Sequence, residues 1–149
     1  MNDADFMKIA LDYAREAAER GEIPVGAVIV KDGAVIAAAR NDNREANDPV
    51  RHAEINAIGK ACAAVHNERL TGCVMYVTKE PCAMCAGAIV HARIVRLVIG
   101  ARDSRYGACG TVLSVCGNSS LNHVPVMEFG LLEDESAALL KDFFRQKRQ

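Results

Sequence analysis

His52, Cys82 and Cys85 supply one imidazole and two thiols, and Glu54 adds a carboxylate two positions from the imidazole. They stand in Arg51-His52-Ala53-Glu54 and, downstream, in Lys79-Glu80-Pro81-Cys82-Ala83-Met84-Cys85-Ala86-Gly87. An imidazole with two thiolates suits a borderline-soft ion such as zinc, and three protein ligands leave the fourth tetrahedral position open to water. A closed structural site would need a fourth ligand, for which Cys109 is the most plausible candidate, and it would leave Glu54 without a role. A hydrolytic site needs an open position and a carboxylate that moves protons, which Glu54 supplies.

The spacing fits that chemistry. Pro81 is suited to precede or open a helix, since its fixed φ matches the first turn and its missing N–H would be unpaired there. Cys82 and Cys85, three residues apart, then share one face of that turn. A helix N-terminus carries partial positive charge, which favours the thiolate that binds metal. Zinc lowers the pKa of bound water from roughly 15.7 to about 7, and Glu54 can carry the water's proton to a ring nitrogen and then to a leaving amine. The reaction so described is hydrolytic deamination. Alone, Cys-x-x-Cys is as often a redox or buried pair and His-x-Glu is usually chance; the two together, each after a strand, are specific.

The elements that must position these residues follow from periodicity. Phe6, Ile9, Ala10, Tyr13, Ala14 and Ala17 recur at helical spacing from Asp5 to Arg20, with Gly21 as terminator. Residues 25–30 and 34–39 are β-prone runs joined by Lys31-Asp32-Gly33, a hairpin signal. After the polar stretch Asn41–Pro49 a helix starts near His52, with Ile55, Ile58, Cys62 and Val65 on its apolar face. Residues 73–78 form a strand, 82–91 a helix and 96–101 a strand, an order that makes the two strands parallel neighbours. The glycine-bearing segment 102–123 reads as a long irregular loop, 124–129 as an edge strand containing Pro125, and 133–148 as a last helix with Leu139, Leu140, Phe143 and Phe144 inward. The expected fold is α/β, one mixed sheet of about five strands with helices on both faces.

The 149 residues fit one domain, 1–149, at about 100–200 residues per domain. With 50% hydrophobic and 25% charged residues, the chain has the balance of a globular protein, which excludes disordered and fibrous classes. The formal net charge of -1 means that a nucleic-acid partner would be met by a local patch. Six cysteines after an acidic start, Met1-Asn2-Asp3-Ala4-Asp5, point to a reducing cytoplasm rather than a disulfide framework. Cys62, Cys73, Cys109 and Cys116 read as reduced, partly buried small hydrophobes. No apolar run approaches about 18 residues, so no membrane span is expected.

His-x-Glu with Pro-Cys-x-x-Cys is the zinc deaminase signature. Within that superfamily the chain closely resembles the bacterial tRNA-specific adenosine deaminases over nearly its whole length. The resemblance rests on Pro24–Val28, Asn41, Asp48-Pro49, His52–Ile55, Leu70–Cys85, Gly100–Asp103, Asn122-His123, Gly130–Leu132 and Leu139–Arg148. It implies a cytidine-deaminase-like three-layer α/β/α fold, a homodimer, one Zn2+ per subunit, and conversion of a wobble adenosine in a tRNA anticodon stem-loop to inosine. By matching position it implies substrate contacts from Asn41, Val25, Ala53, Asp103 and His123, and RNA contacts from Lys141, Phe144, Arg145, Lys147 and Arg148. The basic end of the last helix is also the local patch a nearly neutral RNA binder needs. Arg51, Val124 and the Gly107–Thr111 loop depart from the family pattern, which bears on the fit of RNA rather than on the metal chemistry. Two other functions are compatible with the residues: a deaminase of a free base or nucleoside such as guanine or cytosine, and a non-catalytic zinc-stabilised RNA-binding module.

Overall fold

A computed structural model describes residues 1–147 as four helices and a five-stranded sheet in the order β2-β1-β3-β4-β5. Helix α1 spans Asp3–Glu19 and is started by a capping box, in which the Asn2 side chain accepts the Asp5 N–H and the Asp5 carboxylate accepts the Asn2 N–H. Strands β1 (Gly26–Lys31) and β2 (Ala34–Arg40) form the expected hairpin, whose turn places Asp32 at φ 51 and Gly33 at φ 78. These left-handed values are those for which Asp-Gly is suited.

Helix α2 is Ala53–Val65, β3 is Val74–Lys79, α3 is Ala83–Ala92 and β4 is Arg96–Ala101. As the residue order required, β3 and β4 pair in parallel. Strand β1 runs antiparallel to both β2 and β3, so β2 and β3 point the same way without touching. Strand β5 (Val126–Phe129) adds a parallel edge and is shorter than the sequence suggested, starting only after Pro125, which cannot donate to a ladder. Segment 102–123 has one isolated bridge, Cys109 to Ser114, between turns.

Alternation along the strands sends side chains to two cores. Ala27, Ile29, Met75, Val77, Leu97 and Ile99 face α2 and α3, whereas Val28, Val30, Tyr76 and Val98 face α1 and are joined by Leu139 from α4 (Glu133–Lys147). The result is the three-layer α/β/α arrangement. Close packing demands glycine at Gly26, where a Cβ would lie 1.9 Å from the Ala10 carbonyl oxygen. One expectation for α4 is corrected. Ser136 and Phe143 are buried and Leu139 and Leu140 are half-buried, whereas Phe144 is 42% exposed, because it projects about 100° from Phe143 and falls outside the covered stripe. No helix among the described residues is long and apolar enough to cross a membrane.

Candidate active site

The strand directions put the C-terminal ends of β2, β3, β4 and β5 at one edge of the sheet, together with the start of β1. In open α/β sheets this is the edge at which sites are built. Two helices begin there. His52 is the N-cap of α2 (φ -80, ψ 158) and Cys82 the N-cap of α3 (φ -74, ψ 176), and neither uses its side chain for capping. Both side chains are therefore free to project from a helix start into the same space.

His52 Nδ1 lies 3.6 Å from Cys82 Sγ and 3.6 Å from Cys85 Sγ. A tetrahedral ion with bonds of about 2.3 Å to sulfur and about 2.0–2.1 Å to nitrogen has an N···S edge of about 3.6 Å, so the donor set already has the dimensions of a zinc site. These are the only three residues in the ligand group among the described residues, and Cys109 is outside it. Cys109 is instead buried, and a hydrogen bond to Cys116 raises its thiol pKa. A closed four-ligand site through Cys109 is thus not what the fold builds.

The electrostatics favour the ligand form at Cys82 and oppose it at Cys85 and His52, which would each give up a proton to a metal. Hydrogen bonds from Cys85, with one from His52, draw the Cys82 thiol down to about 4 against the effect of burial, while the Cys82–Cys85 bond and burial push Cys85 upward. His52 is raised, chiefly by its hydrogen bond to Cys82. Glu54, 4% exposed in the first turn of α2, is pushed up to about 7, above all by burial. The nearby Glu54 carboxyl adds to the rise at Cys85. A carboxyl so placed can hold or release a proton near neutrality beside an open coordination position.

Three other expected substrate residues gather around this cluster. Asn41 accepts the Ala53 N–H on Oδ1 at 2.7 Å, donates from Nδ2 to the Ile23 carbonyl at 3.1 Å, and through its backbone N–H bonds the Val25 carbonyl at 3.2 Å. Val25, Asn41 and Ala53 are therefore tied together, with Ala53 lying between His52 and Glu54. Asp103 is joined less directly. Its carboxylate, 9% exposed as a residue, pairs with Lys79 Nζ at 3.1 Å and accepts the Arg105 and Tyr106 N–H groups, which lower its pKa against the opposing effect of burial. His123 is elsewhere: Nε2 bonds the Ile94 carbonyl at 2.6 Å, beyond the C-terminal end of α3. Lys141, Phe144, Arg145 and Lys147 are exposed on α4, and Arg148 lies outside the described residues.

Sequence reading missed two buried carboxylates. Glu80, 2% exposed, accepts the Asp103 N–H (3.1 Å), the Cys109 N–H (3.0 Å), the Thr111 N–H (3.2 Å) and the Thr111 hydroxyl. It thereby ties the 103–111 loop to the residue before Pro81-Cys82. Glu22, 1% exposed, accepts the Arg44 and Glu45 N–H groups and anchors the loop ahead of His52. The signal for Glu80 was its position at a strand end inside Lys79-Glu80-Pro81-Cys82, but its donors are more than twenty residues away in sequence.

A three-ligand imidazole–thiolate centre with a buried carboxylate, at the C-terminal edge of a mixed sheet, is the arrangement of the zinc deaminases. The MafB19-like deaminase family profile matches residues 1–148. A tRNA-specific adenosine deaminase of Agrobacterium fabrum is 50% identical over 143 residues, 96% of this chain and 94% of that one, and that of Bacillus subtilis is 41% identical over 99% of this chain and 91% of its own. A solved structure from a study of A-to-I editing by tRNA:A34 deaminases superposes with a TM-score of 0.89 at 49% identity, covering 91% of this chain and 99% of that one. The guanine deaminase of Bacillus subtilis superposes with a TM-score of 0.69 at 33% identity, covering 100% and 96%. The chain belongs to the MafB19-like deaminases and, among them, to the family of the tRNA-specific adenosine deaminases.

Proposed function

We propose that the protein is a zinc-dependent hydrolase that converts the wobble adenosine of a tRNA anticodon to inosine, releasing ammonia. The observation that carries this is the His52/Cys82/Cys85 group with its 3.6 Å edges and buried Glu54 beside it, in a chain half identical to a tRNA-specific adenosine deaminase. Zinc, when held by these three side chains, would acidify a water to a pKa of about 7. Glu54 takes a proton from the nucleophile, delivers it to the purine ring nitrogen next to the reacting carbon, and then carries the remaining proton of the added hydroxyl to the amine as it leaves. The C–N bond breaks, a C–O bond replaces it, and no redox partner is needed.

Asn41 spends one oxygen lone pair on Ala53 and one N–H on Ile23, leaving one of each for the nucleoside. Val25 and Ala53 supply the adjoining wall. Asp103, held by Lys79 and Glu80, and the exposed Lys141, Phe144, Arg145 and Lys147 are proposed to meet the anticodon stem-loop, as is Arg148. His123, remote from the cluster within one chain, is proposed to act on RNA beyond the pocket. A homodimer and a cytoplasmic setting complete the reading.

Guanine deamination is the second reading, favoured by the 33% identity to a guanine deaminase across the chain. One assay separates them. The zinc-loaded protein is incubated with an anticodon stem-loop bearing a wobble adenosine and, in parallel, with guanine, cytosine, adenosine and cytidine. Inosine in the stem-loop is the expected product. Turnover of the free compounds alone would overturn the tRNA assignment, and zinc binding without any turnover would restore the non-catalytic RNA-binding module.

A further inference from the structure

Asn41 and His52 stand at the two ends of a loop, and the residues just inside those ends face each other across its neck. Arg51 Nε donates to Asp42 Oδ1 at 2.9 Å and Nη2 to Oδ2 at 2.6 Å, a bidentate pair, while the Asp42 N–H donates to the Arg51 carbonyl at 3.2 Å. Asn56, on α2, donates its amide to Asp42 Oδ1 at 2.9 Å and to the Arg40 carbonyl at 3.0 Å. From below, Glu22 holds the Arg44 and Glu45 N–H groups, and Glu45 pairs with Arg20 and Arg40. The loop crest, Arg44 to Asn47, is exposed.

The bonds that set the pocket do not pass through the neck pair. Asn41 reaches Ala53, and Asn56 reaches Arg40, without Arg51. Loss of the pair would loosen the wall formed by 43–50 while leaving the ligand group in place. A free base enclosed by the pocket would not touch the exposed crest, whereas a polynucleotide extending out of the pocket would. A wall already ordered spares such a substrate the entropy of ordering it on binding.

We propose that Asp42 and Arg51 are positioning residues for a polynucleotide substrate, fixing the 43–50 loop as a preformed wall beside the pocket. This rests on the reading of the protein as a tRNA deaminase. The guanidinium fork is essential to it, since an ammonium cannot reproduce the two parallel bonds.

The test is steady-state kinetics on the anticodon stem-loop, with zinc content measured, for the wild type, Arg51→Ala, Arg51→Lys and the reversed pair Asp42→Arg/Arg51→Asp. Both single variants are expected to raise KM about fivefold, the equivalent of a part-exposed ion pair, with kcat within about twofold of wild type and zinc retained. The reversed pair, which restores the ion pair but not the acceptor for Asn56, should recover part of the KM. Unchanged KM in the single variants would overturn the proposal. So would a fall in kcat or zinc content at constant KM, which would make the pair a support for His52 instead. If Arg51→Ala does not fold, Arg51→Lys, which keeps a cation opposite Asp42 and the Asn56 bond intact, decides: a raised KM supports the proposal and wild-type KM refutes it. A wild-type protein that leaves the stem-loop unchanged would sink the functional reading itself, and the inference with it.

Discussion

Replacing Glu80 by glutamine removes the charge and one acceptor from the carboxylate that joins the metal-binding turn to the 103–111 loop. Glutamine has the same shape but only one acceptor oxygen. With that oxygen at the Oε2 position, the Cys109 and Thr111 N–H bonds survive. The amide nitrogen then faces the Thr111 hydroxyl, which can turn to accept, and the Asp103 N–H, which cannot. One buried N–H is orphaned at about 1–3 kcal/mol, and conversion of the two remaining charge-assisted bonds to neutral ones adds about 1 kcal/mol. The expected loss is about 2–4 kcal/mol. Urea unfolding of the zinc-loaded protein, with a slope of about 2 kcal/mol/M, should show the midpoint fall by about 1–2 M at unchanged slope. A change below about 0.5 kcal/mol would refute the role given to the carboxylate.

Other perturbations test separate parts of the account. Gly107→Ala would place a Cβ 2.5 Å from both the Asp103 carbonyl oxygen and the Glu80 carboxyl carbon, so a loss of about 1–3 kcal/mol is expected in thermal or urea unfolding. Ser136→Ala removes a buried hydroxyl that has no partner among the described residues and is expected to leave stability unchanged or raise it by about 1 kcal/mol, again by urea unfolding. Hydrogen bonds from Arg96, and secondarily Tyr76, draw the Asp3 carboxyl from 3.8 to about 2. Because the folded value is lowered, the contribution is complete above the unfolded value and is lost as pH falls from about 4 through about 2. With the Asp3 side chain 42% exposed, solvent screening limits it to about 1 kcal/mol, and Asp3→Asn should flatten the stability curve in that window.

The site was legible where chemistry is local in sequence. Pro-Cys-x-x-Cys puts two thiols three residues apart at one helix start, a spacing that shares a face, and His-x-Glu puts an imidazole and a carboxylate two residues apart at another. The same holds for the Asp32-Gly33 hairpin and for the parallel pairing of β3 and β4 across a single helix. What was not legible depends on distant partners. Glu80 and Glu22 show no role in the sequence, because the backbone N–H groups they bind lie more than twenty residues away. Asn41 is known to share a bond with Ala53 only once the loop between them is closed. Phe144 was misassigned for a different reason: the Leu139-Phe143 and Leu140-Phe144 spacings are equally helical, and only the position of the sheet selects the stripe through Ser136, Leu139 and Phe143.

The central claim is that Glu54 moves protons beside a metal it does not bind. The direct measurement is zinc content and stem-loop turnover of Glu54→Gln in one preparation. The account requires one zinc per chain, as in the wild type, with inosine formation reduced about 10²–10⁴-fold. Turnover within about tenfold of wild type would contradict it, and loss of zinc would make Glu54 a ligand rather than a proton carrier.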